Sequence, residues 1–353
     1  LCRIRPCAGS LDVCTMARMK VIQVTGPKQV EMVEWDMPVP RNDEVLVCPR
    51  VVNLGPQDAN YYKGNMQTEQ PFPFVPGSIW VGEVAKVGQN VSASLAGKRV
   101  IVEQPDGGNN QLIGGLAEYV TVAPTCLREI PVRMPFEEAV MLSPIAEIVR
   151  AFQRSATHVL PYNAASSIEH ASHIIVIVGD DVTGLLAVQV AHALYPASLL
   201  VMIGFREQRL QLGKSMGATH TINIGREDAL GLVHALSRGK GANITFEGTG
   251  DTQATVEAML LARRSGTVLL MGNAGANALF SVEGDIFVRN NLIVYGCSGT
   301  DDNAWVMAEQ LYTTKQLNIA ALISHHFTFD EYQDAFDELV GGQGRALRIL
   351  VIL

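Results

Sequence analysis

Short apolar runs alternate with segments of helical spacing along residues 173–296. The run Ile174–Val178 is continuous and β-branched, which is typical of a parallel strand covered on both faces. A glycine turn follows, and then the apolar residues 185–194, which Pro196 ends as a helix. Further strands are predicted at residues 199–203, 219–223, 242–250, 266–272 and 291–296. This order indicates an α/β domain with a doubly wound parallel sheet.

The chain before this domain has a β pattern instead. Its predicted strands are residues 20–24, 31–35, 44–52, 82–88 and 98–102. Gly26 and Pro27 mark the first turn, and prolines mark several later ones. Because a chain of 353 residues should hold about two domains, we expect an all-β region of about 110 residues before the α/β domain.

Composition and charge limit the partners. The formal charge of −8 and the lack of a basic run argue against nucleic acid or an anionic membrane. No apolar stretch approaches the roughly 18 residues that a membrane-spanning helix needs. The six cysteines include no Cys-x-x-Cys pair, which argues against a disulfide framework and fits a reducing compartment. We therefore expect a soluble, cytoplasmic protein that binds a small-molecule substrate.

Residues 1–18 precede the first convincing strand and carry Arg3, Arg5 and Arg18 with a single acidic residue. They show neither a signal-peptide core nor a clear amphipathic helix. We expect a disordered leader upstream of a true start at Met16 or Met19, with a transit-like segment as the alternative.

The turn after residues 174–178 has the layout of a dinucleotide-binding site. Gly179 allows the sharp turn and Gly184 allows close packing of the helix, whose free N–H groups attract a phosphate. Asp181, however, stands where backbone should approach the pyrophosphate without a side chain. If its carboxylate turns to solvent, the turn can hold a nucleotide; if it lies over the helix N-terminus, it occupies the phosphate's place. An ordinary strand-turn-helix is the alternative.

The next strand ends at Gly204, where an acidic residue would bond the ribose 2′-hydroxyl of NAD(H). The missing carboxylate removes repulsion against a 2′-phosphate. Arg206 would bind that phosphate through charge-assisted hydrogen bonds, with Arg209 close behind. The pattern favours NADP(H) over NAD(H), the alternative being that Arg206 is a solvated loop residue.

The order of the motifs resembles the medium-chain dehydrogenase/reductase superfamily, which holds the zinc alcohol dehydrogenases and the quinone oxidoreductases. The motifs lie at residues 44–47, 76–77, 82–88, 115–120, 179–184, 209–218, 247–250 and 266–268. The resemblance covers residues 19–353. It implies a GroES-like catalytic domain of residues 19–150, completed by residues 297–353, and a Rossmann nucleotide-binding domain of residues 151–296. The cofactor contacts that the resemblance implies are Gly179, Asp181, Val182, Gly184, Gly204, Arg206, Arg209, Gly248 and Gly272.

The zinc ligands of that superfamily do not carry over. Zinc members have Cys, His, Glu and a further acidic residue at four positions that lack these side chains here: Gly55, Ser78, Ile79 and Ser143. A catalytic zinc needs three thiolate, imidazole or carboxylate ligands. The four-cysteine structural lobe is also replaced by the short loop at residues 106–110. The resemblance therefore implies a protein without zinc.

Residues 55–58 are instead similar to the Asn-Pro-x-Asp segment of the zinc-independent branch, with Gly55 in place of its Asn. That branch transfers hydride from NADPH to an activated C=C bond or a quinone. The candidate cleft residues are Gln57, Asp58, Tyr61 and Tyr62. Either tyrosine would donate a proton or bond a developing enolate oxygen, the alternative for both being packing. Asp58 is as well suited to hydrogen-bond the backbone of a turn as to contact the substrate.

Two functions from different classes stay open. The first is a zinc-independent NADP(H) oxidoreductase acting on a carbonyl-conjugated or quinone-like molecule, and the second is a degenerate, non-catalytic binding module. A zinc alcohol dehydrogenase is the weakest alternative. In the superfamily the strand at residues 292–295 often pairs across a dimer axis, so we expect a homodimer. We interpret the adjacent His325 and His326 as structural, because they face opposite sides of a strand.

Overall fold

The computed structural model describes residues 17–64, 72–103, 114–156, 173–273, 278–341 and 346–353. The described chain falls into two compact units. The first is Leu1–Val140 with Ile323–Leu353, and the second is Met141–Leu322. Residues 1–16 of the predicted leader and the loop at residues 106–110 lie outside the described residues.

Strands predominate up to Glu129, and helices and strands mostly alternate after it within the described residues. In chain order they are β1 (Arg18–Gly26), β2 (Gln29–Asp36), β3 (Val45–Leu54), α1 (Pro56–Tyr62), β4 (Ile79–Val87), β5 (Arg99–Val102), β6 (Val120–Val122), β7 (Leu127–Glu129), α2 (Phe136–Ala139), α3 (Leu142–Ala156), β8 (Ile174–Val178), α4 (Val182–Leu194), β9 (Leu199–Gly204), α5 (Glu207–Ser215), β10 (His220–Asn223), α6 (Ala229–Leu236), β11 (Ala242–Glu247), α7 (Thr252–Leu261), β12 (Ala262–Leu270), α8 (Asp285–Asn290), β13 (Ile293–Gly296), α9 (Asp302–Thr313), β14 (Ile323–Thr328), α10 (Tyr332–Gly341) and β15 (Arg348–Ile352).

The first unit is built on a seven-stranded sheet. Its strands run in the order β14-β15-β3-β4-β5-β7, β6 also pairs with β3, and β1 and β2 form a separate antiparallel pair. β3 is buried along nearly its whole length. Pro49 within it lies at a register shift against β4, where the lost backbone donor is tolerated. The core under this sheet includes the fully buried Trp80 and Phe336.

The C-terminal tail completes this sheet, but later than the sequence indicated. We expected the return to begin at about Cys297, whereas the first unit resumes at Ile323. The intervening residues stay with the second unit, where Arg150 Nη1 donates to Ser298 O at 3.0 Å and Arg150 pairs with Asp301 at 3.3 Å. β15 then runs antiparallel to β3, with Ile349 opposite Leu54, and β14 lies parallel to β15.

The second unit is a Rossmann fold, as the sequence predicted. Six parallel strands run in the order β10-β9-β8-β11-β12-β13, so the strand order reverses beside β8. All five residues of β8 are buried, which its continuous apolar run requires. The carboxyl ends of β8, β9 and β11 form the edge where such sheets bind ligands. Among the residues that the structure describes, no helix has both the length and the apolar character that a membrane crossing demands.

Candidate functional site

The glycine turn after β8 has the tight geometry that the sequence predicted. Gly179 has a φ of +125°, a conformation that side chains disfavour. A Cβ atom there would lie 2.7 Å from Thr249 Cγ2, and one at Gly184 would lie 2.1 Å from Gly179 O. Both positions therefore require glycine. The turn brings the N-terminus of α4 against the end of β8, as a dinucleotide site demands.

Asp181 lies over the N-terminus of α4. It is the N-cap residue of this helix, and its Oδ1 accepts a hydrogen bond from Gly184 N at 2.9 Å. Of the two orientations considered from the sequence, this is the one in which the carboxylate occupies the phosphate's place. A pyrophosphate at this helix end would have to compete with the Asp181 carboxylate for the same backbone donor and the same helix dipole.

Asp180 is a residue that the sequence analysis did not single out. Its Oδ2 accepts hydrogen bonds from Phe205 N at 2.8 Å and Arg206 N at 2.6 Å, and its Oδ1 pairs with the Arg206 guanidinium. Asp180 is only 5% exposed, whereas the Arg206 side chain is 47% exposed. Arg206 is thus held by a buried carboxylate and is not a freely solvated loop residue. The pairing depends on the alignment of β8 with β9, which local sequence does not reveal.

Arg209 and the end of β11 complete this edge. Arg209 is buried, and its Nη1 donates to Asp180 O at 3.3 Å. Burial lowers the pKa of Arg209, and the nearby Arg206 charge adds to this effect. Glu247 Oε1 accepts from Gly250 N at 2.9 Å and from the backbone and hydroxyl of Thr249. Burial raises the pKa of Glu247, with the neighbouring Asp181 acting in the same direction.

The remaining predicted cofactor contacts lie at the same edge. A Cβ atom at Gly248 would lie 3.0 Å from Thr183 Cγ2, and one at Gly272 would lie 1.9 Å from Gly250 N. Gly272 admits only glycine, because the backbone of Thr249 and Gly250 packs directly against it, whereas Gly248 is crowded by side chains. Val182, by contrast, is 5% exposed and presents a packed side chain. The backbone frame fits an NAD(P) dinucleotide, and the Asp181 carboxylate is the one feature among these residues that opposes it.

In the first unit, Asp58 ties the start of α1 to the turn before β4. Its Oδ2 accepts from Gly55 N and its Oδ1 from Gly77 N, both at 2.9 Å. Asp58 is 4% exposed, and burial raises its pKa, opposed by these hydrogen bonds and by the charge of Arg348. The carboxylate thus bonds turn backbone, one of the two roles predicted for it. It also brings Gly55 and the Gly77–Ser78 turn together.

Arg348, on β15, is a second residue that the sequence analysis missed. It is 7% exposed, and its Nη1 lies 3.1 Å from the point that a Cβ atom on Gly55 would occupy. The antiparallel pairing of β15 with β3 places it there. Zinc members carry their cysteine ligand at the position of Gly55, so here a guanidinium stands where that side chain would project.

Zinc does not fit this arrangement. Gly55, Ser78 and Ile79 offer no thiolate, imidazole or carboxylate, and the Arg348 charge would repel a cation. Within the described ranges, no group of three His, Cys, Asp or Glu side chains is placed to hold a metal ion.

The two predicted tyrosines have different surroundings. Gln57 is exposed near the start of α1, and its Nε2 donates to Tyr61 Oη at 3.0 Å. Tyr62 is 3% exposed, donates its hydroxyl proton to Lys28 O at 3.2 Å and packs its ring 4.8 Å from that of Phe336. Burial raises the pKa of Tyr62. Tyr61 is also buried, 7% exposed, in the same core, so both rings have the packing role that was the alternative for them. The two differ in their hydroxyls, because that of Tyr61 is joined to an exposed amide.

The two histidines of β14 lie on opposite sides of the strand. His325 is half-buried, with Nε2 3.9 Å from Glu338 Oε1, and its ring stacks on Phe327. His326 is exposed. This alternation agrees with the predicted opposite directions of the two side chains.

Two family models match the chain. The alcohol dehydrogenase GroES-like domain covers residues 41–132, and the zinc-binding dehydrogenase family covers residues 183–314. The chain belongs to the medium-chain dehydrogenase/reductase superfamily of oxidoreductases. The resemblance drawn from its motifs and the predicted fold class are thereby confirmed. The second family is named for zinc. In this chain, the positions where zinc members carry their ligands hold Gly55, Ser78, Ile79 and Ser143.

Relatives and solved structures cover almost the whole of this superfamily member. Sorbitol dehydrogenase of Bacillus subtilis is 24% identical over 358 residues, covering 94% of this chain and 97% of the relative. A structure described as a short-chain alcohol dehydrogenase from Escherichia coli, complexed with NADH, has a TM-score of 0.81 at 22% identity, covering 95% of this chain and 99% of its own. A putative zinc-binding dehydrogenase from Sinorhizobium meliloti, bound to NADP, has a TM-score of 0.81 at 20% identity, with coverages of 96% and 100%. At these identities the structures establish the fold.

Proposed function

We propose that this protein is a zinc-independent, NADP(H)-dependent oxidoreductase that acts on a small carbonyl-conjugated or quinone-like substrate. Superfamily membership and the glycine frame after β8 support the dinucleotide. The observation that carries the zinc-independent part is the guanidinium of Arg348, whose Nη1 lies 3.1 Å from where a side chain on Gly55 would begin. A fixed positive charge there replaces the cation that zinc members hold beside the same position.

Arg348 supports a defined chemical role. Hydride addition to an activated C=C bond or a quinone leaves negative charge on a substrate oxygen. A buried guanidinium with several donors stabilises such charge strongly, because little water competes with it. Asp58 neutralises part of this charge from the side of the protein and holds the Gly55 turn in place.

The bound NADP(H) supplies or accepts the hydride, and the protein positions the substrate and handles the proton. We assign the proton donor to Tyr61, whose hydroxyl accepts from Gln57 Nε2 and so has its own proton available. Tyr62 keeps its proton on Lys28 O, which makes it the poorer donor. Gln57, exposed at the start of α1, would hydrogen-bond the substrate oxygen.

The test is a reductase assay with NADPH and quinone or enone acceptors. We expect turnover that survives exhaustive chelation and that does not rise when zinc is added. Arg348→Met should lower kcat by about 10²-fold or more, with Arg348→Lys intermediate. Arg50→Met, on the same sheet and paired with Glu83 at 3.0 Å, is the control and should retain activity. Activity that chelation abolishes and zinc restores would overturn the proposal.

Asp181 favours a second candidate, a binding module that keeps the fold without catalysis. Its carboxylate lies at the helix end that a pyrophosphate would need. Fluorescence titration of the folded protein with NADPH and NADH separates the two candidates. Saturation below millimolar concentration supports the oxidoreductase, and no binding of either nucleotide at millimolar concentration supports the module.

We also propose that two copies pair through β13. This strand ends the six-stranded sheet, and an apolar edge strand is a natural pairing surface. Val288 on the preceding α8 is 82% exposed. Light scattering coupled to size exclusion should give the mass of a dimer, and Val294→Pro, which removes a backbone donor from this edge, should give the monomer.

A further inference from the structure

The Asp180 side chain fills the space that a side chain at position 204 would need, and position 204 carries glycine where the dinucleotide pattern has an acidic residue. A Cβ atom on Gly204 would lie 2.5 Å from Asp180 Cβ and 2.8 Å from its Cγ and Oδ2. No real side chain tolerates such distances from another. An acidic residue at the tip of β9 and the observed Asp180 side chain therefore exclude each other, so the tip cannot carry its own carboxylate while Asp180 lies beneath it.

Asp180 hydrogen-bonds the residues after β9 from the buried side. One of its oxygens accepts two backbone N–H groups, from Phe205 and Arg206, and the other accepts from the Arg206 guanidinium. The carboxylate is 5% exposed, whereas the arginine side chain is 47% exposed. The guanidinium is thus anchored on its buried side and open on its solvent side. Since a guanidinium has five N–H donors in a rigid fork, one anchored donor leaves the others for a second anion.

Two guanidiniums, Arg206 and Arg209, lie at the tip of β9. The nearby carboxylates are Asp180, which is buried and bonded to the Arg206 guanidinium and to the backbone of the tip, and Asp181, which caps α4. Phe205 and Arg206 already direct their backbone N–H groups into the protein, toward Asp180. A ribose hydroxyl would therefore meet no carboxylate presented to solvent at this tip, but a phosphate would meet an exposed and oriented arginine.

We infer that Asp180 is a positioning residue that builds the adenosine 2′-phosphate subsite by holding Arg206, and that it thereby sets the preference for NADP(H) over NAD(H). The inference rests on the proposed function. An ion pair between Asp180 and Arg206 that merely consumed the guanidinium would exclude the 2′-phosphate. Positioning is the better account because the carboxylate engages the guanidinium through Oδ1 alone, while Oδ2 bonds the backbone of the tip, and because the arginine side chain remains half exposed.

The experiment measures binding by calorimetry, without turnover. The probes are 2′,5′-ADP and 5′-AMP, which differ only in the 2′-phosphate, together with NADPH and NADH. The native protein should bind 2′,5′-ADP at least about tenfold more tightly than 5′-AMP. Asp180→Asn keeps the shape and an acceptor for the backbone but loses the charge on Arg206. It should remove most of this preference and leave 5′-AMP affinity unchanged.

A double-mutant cycle shows whether Asp180 acts through Arg206. Arg206→Gln should abolish the preference for 2′,5′-ADP, and adding Asp180→Asn should then cause no further loss. Tighter binding of 2′,5′-ADP by Asp180→Asn would show competition and overturn the inference. Equal weakening of both probes would show a merely structural role and would overturn it too.

A rescue pair keeps the inference testable if Asp180→Asn is unstable. The double substitution Asp180→Gly with Gly204→Asp moves the acid from beneath the tip to the tip itself. It should reverse the preference from NADPH to NADH, whereas Gly204→Asp alone should melt at lower temperature because its side chain collides with Asp180. A double variant that keeps the NADPH preference would contradict the inference. Failure of the native protein to bind either dinucleotide would instead contradict the proposed function.

Discussion

Replacing Asp181 by glycine should tighten the binding of both dinucleotides. The native carboxylate accepts the Gly184 N–H at 2.9 Å and puts a negative charge at the N-terminus of α4. A pyrophosphate must displace this hydrogen bond, which as a helix cap is worth about 1 kcal/mol. It must also overcome repulsion from the carboxylate, which screening by solvent reduces to a similar size. The two effects together predict a gain of about 5- to 30-fold in affinity for NADPH and NADH alike.

The cost to the fold is smaller than the gain in binding. Replacing a capping aspartate by glycine lowers helix stability by only a few tenths of a kcal/mol, because glycine is itself an acceptable N-cap residue. Asp228→Gly is the matched control. Asp228 caps α6 in the same way, accepting from Gly231 N at 3.1 Å, but stands at the start of a different helix. It should cause the same small loss of stability with no change in nucleotide affinity.

The assay is a fluorescence titration of each variant with NADPH and NADH, with thermal melts to verify folding. Asp181→Asn separates the two effects, because the amide oxygen still caps the helix while the charge is gone. It should therefore recover only the electrostatic part of the gain. Unchanged or weaker binding by Asp181→Gly would refute the reasoning, since it would mean that the phosphate and the carboxylate do not compete for the start of α4.

Three further predictions concern other residues. Tyr61→Phe should lower kcat by about 10²-fold, whereas Tyr62→Phe, which loses only the bond to Lys28 O, should keep activity and cost about 1 kcal/mol of stability in urea unfolding. Asp58→Asn should cost about 1–3 kcal/mol, because one amide oxygen cannot satisfy the donors that two carboxylate oxygens now hold. Burial raises the pKa of Glu247 above its usual 4.5, so the folded chain keeps this proton at pH values where the unfolded chain has lost it. The free energy of unfolding should therefore fall as the pH rises from about 4.5, and Glu247→Gln should reduce this slope.

Periodicity was sufficient for the main elements of both units. The buried run of β8, the largely apolar and buried helix α4 and the alternation up to β13 follow from residue type alone, because burial on both faces demands continuous apolar strands. The roles of the glycines at positions 179 and 184 could also be predicted, because a tight turn and a close approach depend on local residue type. The boundary near Cys297 could not be predicted, since the return of the tail at Ile323 depends on packing between distant segments.

Two contacts of the candidate site could not be predicted from local sequence. Arg206 was identified from its place at a strand tip, but its buried partner Asp180 was not, because the contact exists only when β8 and β9 lie side by side. The position of Arg348 beside Gly55 is even harder to predict from the sequence. It reaches Gly55 from the other end of the chain, through the pairing of β15 with β3. No motif near either residue indicates this contact.

The sequence by itself determined that this chain builds a GroES-like unit and a Rossmann unit, that Gly55, Ser78, Ile79 and Ser143 offer no thiolate, imidazole or carboxylate, and that a tight glycine turn carries an aspartate. These are properties of residue type and spacing, which backbone sterics and burial translate directly into local structure. Only the tertiary structure decided that Asp181 caps α4, that Asp180 holds Arg206 and that a guanidinium stands beside Gly55. The direction of a charged side chain depends on which partners the fold brings within reach, and those partners come from strands far apart in the chain.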